Sequence, residues 1–327
     1  MRNGRRLARV ILLIGLVTSL LASCSHKNPP QLPPPCVAAR PEADHAADSS
    51  PRIVLVVEEN HSYSQIIGKA PFFTSLERCG TLLTKYRAAN HPSLPNYIRL
   101  LSGGTQGVTS DSEHRSLTAP NLVDQLEQNG ISWKAYMEGQ PYPCWKGAGV
   151  VNYVKRHNPF MYFESIRESP ERCAKVVPFD EFPDDLKAGR LPQFVFITPD
   201  LTHDMHGRDK RDDRRFPAIL GKSHRLVTAG DTWLKTQVYE PLTVSSAWTE
   251  STRLVVTFDE ASRFAITTSG LDNRVATIIA GPHVPRGRNG SSYNHYALLR
   301  SIESLFGLPY LGRAADPATP TIPALAS

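Results

Sequence analysis

The run Arg52-Ile53-Val54-Leu55-Val56-Val57 opens directly into Glu58-Glu59-Asn60-His61. A continuous, mostly β-branched apolar run without polar alternation reads as a strand buried on both faces, polar only where it leaves the sheet. Two further runs repeat the pattern. Phe194–Thr198 leads into Asp200-Leu201-Thr202-His203-Asp204-Met205-His206, and Leu254–Phe258 leads into Asp259-Glu260. Ligands of open α/β sheets bind outside the carboxyl ends of the strands. One acid after a strand is readily explained as a helix cap. Three strand ends loaded with oxygen and imidazole donors predict a single polar active site built around metal or phosphate.

The flanks read differently from this core. Arg2, Arg5, Arg6 and Arg9 precede the apolar stretch Val10–Leu21, which closes on Leu21-Ala22-Ser23-Cys24. That order is expected of an exported chain with a signal segment over 1–24 and Cys24 as a lipidated residue; a cut near Ala22 is the plainer alternative. Residues 25–50 contain Pro29-Pro30 and Pro33-Pro34-Pro35 and read as an extended tether. Residues 51–315 suit one α/β domain, and 316–327 read as an irregular tail. Export implies an oxidising compartment, so the even set Cys36, Cys79, Cys144 and Cys173 is expected to form up to two disulfides. Three connectivities are open; Cys36–Cys79 with Cys144–Cys173 closes the most local loops.

The net charge of +6 is modest. Basic residues cluster over 208–225, a segment suited to a solvated loop or to attraction of anionic headgroups. Without interleaved aromatics, nucleic acid is not an expected partner.

Asn90-His91-Pro92-Ser93-Leu94-Pro95-Asn96-Tyr97 predicts a helix start, with Gly103 as its end. Ser93 then sits where free backbone N–H groups favour an approaching phosphate, and a metal or base would make it a nucleophile. Capping is the bland role for the same hydroxyl. His203, Asp204 and His206 form a compact set of ligands or proton-transfer groups. Asp259 and Glu260, with Glu59 and Asn60 from the neighbouring strand, supply hard oxygen donors suited to Mg, Ca or Mn. His295 opens another helical pattern, and Lys155-Arg156-His157 offers cations for an oxyanion.

Taken together, these residues resemble the bacterial phosphoesterase family of secreted acid phosphatases and non-specific phospholipases C, a branch of the alkaline-phosphatase-like fold. The resemblance runs from Arg52 to Leu311. It is carried by Val56–Ser62, His91–Tyr97, His157-Asn158-Pro159, Asp204-Met205-His206, Gly230–Leu234, Thr257–Glu260 and Asn294-His295-Tyr296. It is nearest to the compact secreted phosphatases, among them mycobacterial enzymes acting on phosphoinositides. The resemblance implies a three-layer α/β sandwich with a mostly parallel sheet and hydrolysis of phosphate esters. It implies metal ligation by Glu59, Asn60, Asp259 and Glu260, to which the strand-end loop adds Asp204, for one or two divalent ions (Mg, Ca, Mn or Zn). Ser93 is the expected nucleophile, with His91, His157, His206 and His295 around the phosphoryl group or leaving alcohol. Lys155, His203 and Asn96 are expected to bind substrate, and Asp231 to orient a helix beginning near Trp233. Two departures stand out: Gly207 replaces an acid after Asp204-Met205-His206 and a basic insert follows it, and Ala261-Ser262-Arg263-Phe264 stands after the Asp-Glu pair where the family often has acids or glycine.

The expected activity is therefore that of an exported phosphomonoesterase, phospholipid or phosphoinositide headgroups included. A phospholipase C-type diesterase is the nearest alternative, and an anion-binding lipoprotein without catalysis is the alternative of another class. The expected partners are the phosphate ester and, through Cys24, the outer face of the bacterial cell membrane.

Overall fold

The structure is a computed structural model and describes residues 36–39, 50–207, 219–262, 266–267 and 270–326, with the side chains of 219–223, 266–267 and 270–271 left out. The leader 1–24 with Cys24, most of the tether, and residues 208–218 of the basic segment lie outside the described residues.

Twelve strands are described: β1 (Arg52–Glu58), β2 (Gly80–Arg87), β3 (Trp133–Met137), β4 (Gly149–Val150), β5 (Tyr153–Val154), β6 (Val176–Pro178), β7 (Phe194–Thr198), β8 (Thr252–Phe258), β9 (Ile266–Thr267), β10 (Gly270–Leu271), β11 (Thr277–Ala280) and β12 (Gly287–Asn294). Eight of them form one sheet in the order β12-β2-β11-β8-β1-β7-β3-β6. All its neighbouring pairs are parallel except those made by β11, which runs against both β2 and β8. The other seven strands therefore point the same way, and their carboxyl ends share one edge.

The three apolar runs lie side by side at the centre. β1 pairs with β8 in the register Glu58↔Phe258 and with β7 in the register Val56↔Ile197. Every residue of β1, β7 and β8 is buried, as expected for strands covered on both faces. This register puts Glu59-Asn60, the 199–206 loop and Asp259-Glu260 next to one another. Asp259 N donates to Glu58 O at 3.0 Å, and Glu59 N donates to Asp204 O at 3.0 Å.

Disulfides join Cys36 to Cys79 and Cys144 to Cys173, as the loop lengths suggested. Two expectations are corrected. The residues after 315 are not an irregular tail: Pro323–Ala326 is helical, Ile322 and Leu325 are fully buried, and Ile322 N donates to Ser301 Oγ at 2.7 Å. Apolar side chains spaced among the prolines anchor this segment. Nor does a helix begin near Trp233. A helix spans Ile219–Trp233 and continues as a π-helical turn over Leu234–Tyr239. Gly230 lets it approach the strand-end loop, because a Cβ there would lie 2.4 Å from His203 O. Asp231, one residue on, accepts the N–H groups of Phe72 and Phe73, both at 2.8 Å, at the start of the helix Pro71–Ser75.

Candidate active site

Ser93 is the first residue of the helix Ser93–Ser102, and its hydroxyl does not cap that helix. The exposed N–H of Leu94 is taken instead by Asp111 Oδ1 at 3.0 Å. Ser93 Oγ is thereby left for the sheet edge, where it donates to Glu59 Oε2 at 3.2 Å and accepts from Asn60 Nδ2 at 3.2 Å. Asn60 also donates through Nδ2 to Glu59 Oε2, and its backbone N–H donates to Asp259 Oδ1 at 2.9 Å. Asn60 holds φ +48° and Met205 φ +67°. Left-handed backbone at non-glycine residues concentrates at functional sites, and here it flanks both acidic strand ends.

Glu59, Asp204 and Asp259 are enclosed, and Glu59 Oε1, Asp204 Oδ2 and Asp259 Oδ2 have no hydrogen-bond partner among the described residues. His157 Nε2 lies 3.1 Å from Glu59 Oε1, yet off the line along which a ring N–H would donate. Burial, then the negative charges of Asp259 and Asp204 beside it, pushes the Glu59 carboxyl well above its usual range. Burial raises Asp259 strongly as well, with Glu260 next in effect, and pushes Asp204 to about 7. Burial, reinforced by Arg156, drives His157 far down, so its imidazole is neutral. Buried charges are paired or coordinate metals. The orphaned oxygens of Glu59, Asp204 and Asp259, with the neutral imidazole of His157 beside Glu59 and Asp204, are the donor types a divalent cation takes. They are less tightly gathered than the ligand atoms of Glu138, Asp200 and His203.

The remaining expected residues divide. His91 Nδ1 is 3.0 Å from Glu260 Oε2, and Asn96 Nδ2 donates to the same oxygen at 3.3 Å. Glu260 thus meets His91 and Asn96 through Oε2, and its charge is also felt by Asp259 and Glu59. Asn96 also accepts from Asn90 N at 3.2 Å and Arg99 Nη1 at 2.9 Å, which makes it a brace of the 90–96 loop rather than a substrate contact. His206 is exposed, its ring 6.4 Å from that of His61.

His295 departs from the expected role. It is fully buried, with Nδ1 2.8 Å from Tyr86 Oη and Nε2 2.8 Å from Asp259 O. With both nitrogens committed, it braces the backbone of Asp259. Burial lowers its pKa to about 4. Lys155 also departs: it is buried, donates to Glu113 O at 3.0 Å and lies 5.0 Å above the Tyr162 ring. Its neighbour Arg156 supplies the positive field felt by Glu59, Asp204 and His157. Tyr97 is a further member: it stacks on His157 at 5.6 Å, and its buried hydroxyl faces Glu59.

His203 belongs to a different cluster. Glu138, Asp200 and His203 hold ligand-type atoms within 4.8 Å of one another. Hydrogen bonds already engage them: Glu138 Oε1 meets His203 Nδ1 at 2.9 Å, Glu138 Oε2 accepts Asp200 N at 2.9 Å, and Asp200 Oδ1 accepts Thr202 N at 2.7 Å. Beside the cluster lies a cleft of about 860 Å³ lined by His203, Phe179 and Trp233. The triad is tighter, but its members are already engaged in hydrogen bonds, whereas Glu59, Asp204 and Asp259 each keep an orphaned oxygen at the Ser93 edge. The chemistry is therefore read there.

The sequence profile of the Phosphoesterase family matches residues 68–309. The chain belongs to the phosphoesterase family. A probable acid phosphatase of Kluyveromyces lactis is 31% identical over 277 residues, covering 80% of this chain and 59% of that one. The chain spans 50–59% of the lengths of the fungal acid phosphatases it matches. A phosphatidylinositol-3-phosphatase of Mycobacterium tuberculosis is 30% identical over 320 residues, covering 95% of this chain and 92% of that one. Among solved structures, a Vibrio parahaemolyticus protein of the alkaline phosphatase superfamily superposes with TM-score 0.56 at 15% identity, covering 89% of this chain and 75% of the other. This phosphoesterase thus shares the alkaline-phosphatase-like fold.

Proposed function

We propose that this phosphoesterase hydrolyses phosphate monoesters through Ser93, at a centre that uses a divalent cation. The observation that carries the reading is the hydroxyl of Ser93, released from capping by Asp111 and directed at Glu59 and Asn60 beside three orphaned carboxylate oxygens. Glu59, Asn60, Asp204 and Asp259, with His157, would hold the cation. Bound there, it would lower the pKa of the Ser93 hydroxyl and offset charge on the phosphoryl oxygens.

The residues of the chain supply the rest. Ser93 Oγ attacks phosphorus, and the P–O bond to the alcohol breaks in line. Arg156 places a positive charge at the rim for the phosphoryl oxygens. His91, oriented by Glu260, and the exposed His206 are the groups placed to give a proton to the departing alkoxide. Water then releases phosphate and restores Ser93. Tyr86, through His295, fixes the Asp259 backbone.

Support for the substrate class comes from the named activities of the fungal and mycobacterial relatives. A phosphorylated lipid headgroup is the natural extension, because the mycobacterial relative matches over nearly its whole length. We also propose export with lipidation at Cys24, a reading supported by the Leu21-Ala22-Ser23-Cys24 motif and two disulfides. Among the described residues no helix is long and apolar enough to cross a membrane. The deciding experiment compares an aryl phosphate monoester with its matched diester from pH 5 to 8, with and without chelator. Monoester turnover lost in Ser93→Ala supports the proposal; diester preference would establish the phospholipase alternative, and no turnover of either would leave an anion-binding protein.

A further inference from the structure

Packing accounts for the ring of Tyr97 but not for its hydroxyl. Ser93 and Tyr97 stand four residues apart in the helix Ser93–Ser102, one turn along the same face. Tyr97 is fully buried, and its Oη has no hydrogen-bond partner among the described residues. A buried hydroxyl left unbonded costs stability. Phenylalanine would fill nearly the same volume without that cost, yet the chain carries a phenol one turn from Ser93.

The surroundings of the hydroxyl are those of the acidic edge. The charge that acts on it most is that of Glu59, followed by Asp259 and Asp204. Glu59 Oε2 already accepts from Ser93 Oγ at 3.2 Å and from Asn60 Nδ2, while Oε1 stays open. The Tyr97 ring stacks on His157, with centroids 5.6 Å apart and planes at 20°. That imidazole lies between two carboxylates: Nε2 is 3.1 Å from Glu59 Oε1, and Nδ1 is 4.0 Å from Asp204 Oδ2. His157 Nε2 makes no hydrogen bond among the described residues, so packing holds the ring plane, and Tyr97 supplies a flat face for it.

From this geometry we infer that Tyr97 is a positioning residue of the cation centre: its hydroxyl donates to Glu59 Oε1 when that carboxylate holds the ion, and its ring fixes the plane in which His157 meets Glu59 and Asp204. The inference rests on the proposed metal-assisted phosphatase reading. Carboxylates and imidazoles that ligate a metal are oriented by a surrounding layer of partners, whose loss typically weakens metal binding or activity by about ten- to a hundredfold. A donor that folding buries without a partner has already lost its water. It gains a strong bond once Glu59 is fixed as an ionised acceptor.

The full-length chain is compared with Tyr97→Phe, which keeps the ring, and Tyr97→Leu, which removes ring and hydroxyl together. Mn(II) binding is followed by titration calorimetry, melting is recorded in chelator, and turnover of a soluble aryl phosphate is measured across Mn(II) concentrations. Tyr97→Phe is expected to bind Mn(II) about tenfold more weakly and to need correspondingly more of it for half-maximal turnover. At saturating Mn(II) its KM for the ester should match the wild type, and in chelator it should melt no lower. Tyr97→Leu should lose more affinity, because His157 loses its stacking face as well. Wild-type Mn(II) affinity in Tyr97→Phe, with the ester still hydrolysed, overturns the inference and leaves the phosphatase reading standing. A Tyr97→Phe protein that melts several degrees lower in chelator also overturns it, since the hydroxyl would then be bonded within the fold itself. A wild type that neither binds Mn(II) nor turns over the ester fails the phosphatase reading and the inference with it.

Discussion

Ser93 Oγ and Glu59 Oε2 lie 3.2 Å apart although 34 residues separate them in sequence. Asp111 makes that contact available by satisfying the helix N–H at Leu94, so the serine is not consumed as a cap. A hydroxyl held against a buried carboxylate whose other oxygen lacks a partner is placed for the sheet edge rather than for capping the helix.

Ser93→Ala is accordingly expected to lower kcat/KM for an aryl phosphate by on the order of 10³-fold or more. Because the cap is supplied by Asp111, the melting temperature should change little. Near-normal turnover in a folded Ser93→Ala protein would move the nucleophile elsewhere, with His91 the next candidate.

Removal of divalent cations should make stability fall with rising pH. Burial sets the Asp204 carboxyl at about 7 against an ordinary 3.8. A folded pKa above the unfolded one gives a contribution fully present below about 4 and lost as pH rises through about 7. Glu59 and Asp259 shift in the same direction. In chelator, melting at pH 5 should therefore exceed melting at pH 8, and added Mg, Mn, Ca or Zn should raise the pH 8 value most. A chelated protein that melts higher at pH 8 than at pH 5 contradicts the buried carboxylate cluster.

The central strands were legible because burial on both faces leaves an unbroken apolar run, and the acids beyond each run had to meet once the strands were parallel neighbours. Side-chain direction was not legible. Whether Lys155 or Arg156 faces the site depends on one turn of 3₁₀ helix over Lys155–His157. The same limit applies to His295, whose helix-start position resembles that of Ser93 but whose nitrogens are taken by Tyr86 and Asp259. Asp111 sits 18 residues from Ser93, beyond any local capping pattern, and left no signal in the sequence. Burial of Ile322 and Leu325 depends on a surface of the helix His295–Leu305 that only the fold creates.

Arg156 and Lys155 provide a contrast between neighbours. Arg156→Gln removes the charge that faces Glu59, Asp204 and His157, and KM for a phosphate monoester should rise about tenfold with little effect on melting. Lys155→Met leaves the Glu113 carbonyl without its donor and should cost about 1 kcal/mol of stability with KM unchanged. Thermal melts and steady-state kinetics on the pair separate the two roles. A KM effect confined to Lys155→Met would reverse the assignment.

Glu303 lies in the helix His295–Leu305, away from the acidic edge, and isolates a pH effect that no metal complicates. Its side chain is enclosed; Oε1 accepts Leu311 N at 2.9 Å, while Oε2 has no partner among the described residues. Burial pushes its pKa to about 8 from an ordinary 4.5. The folded state thus binds a proton that the unfolded chain releases, and the associated stability is present below about 4.5 and lost as pH rises through about 8. Glutamine reproduces the neutral carboxyl, retains an acceptor for Leu311 and cannot ionise. Glu303→Gln should match the wild type near pH 5 and melt a few degrees higher near pH 9, with catalytic constants unchanged. Parallel melting curves for the two proteins across that range would mean that the buried carboxyl ionises without penalty.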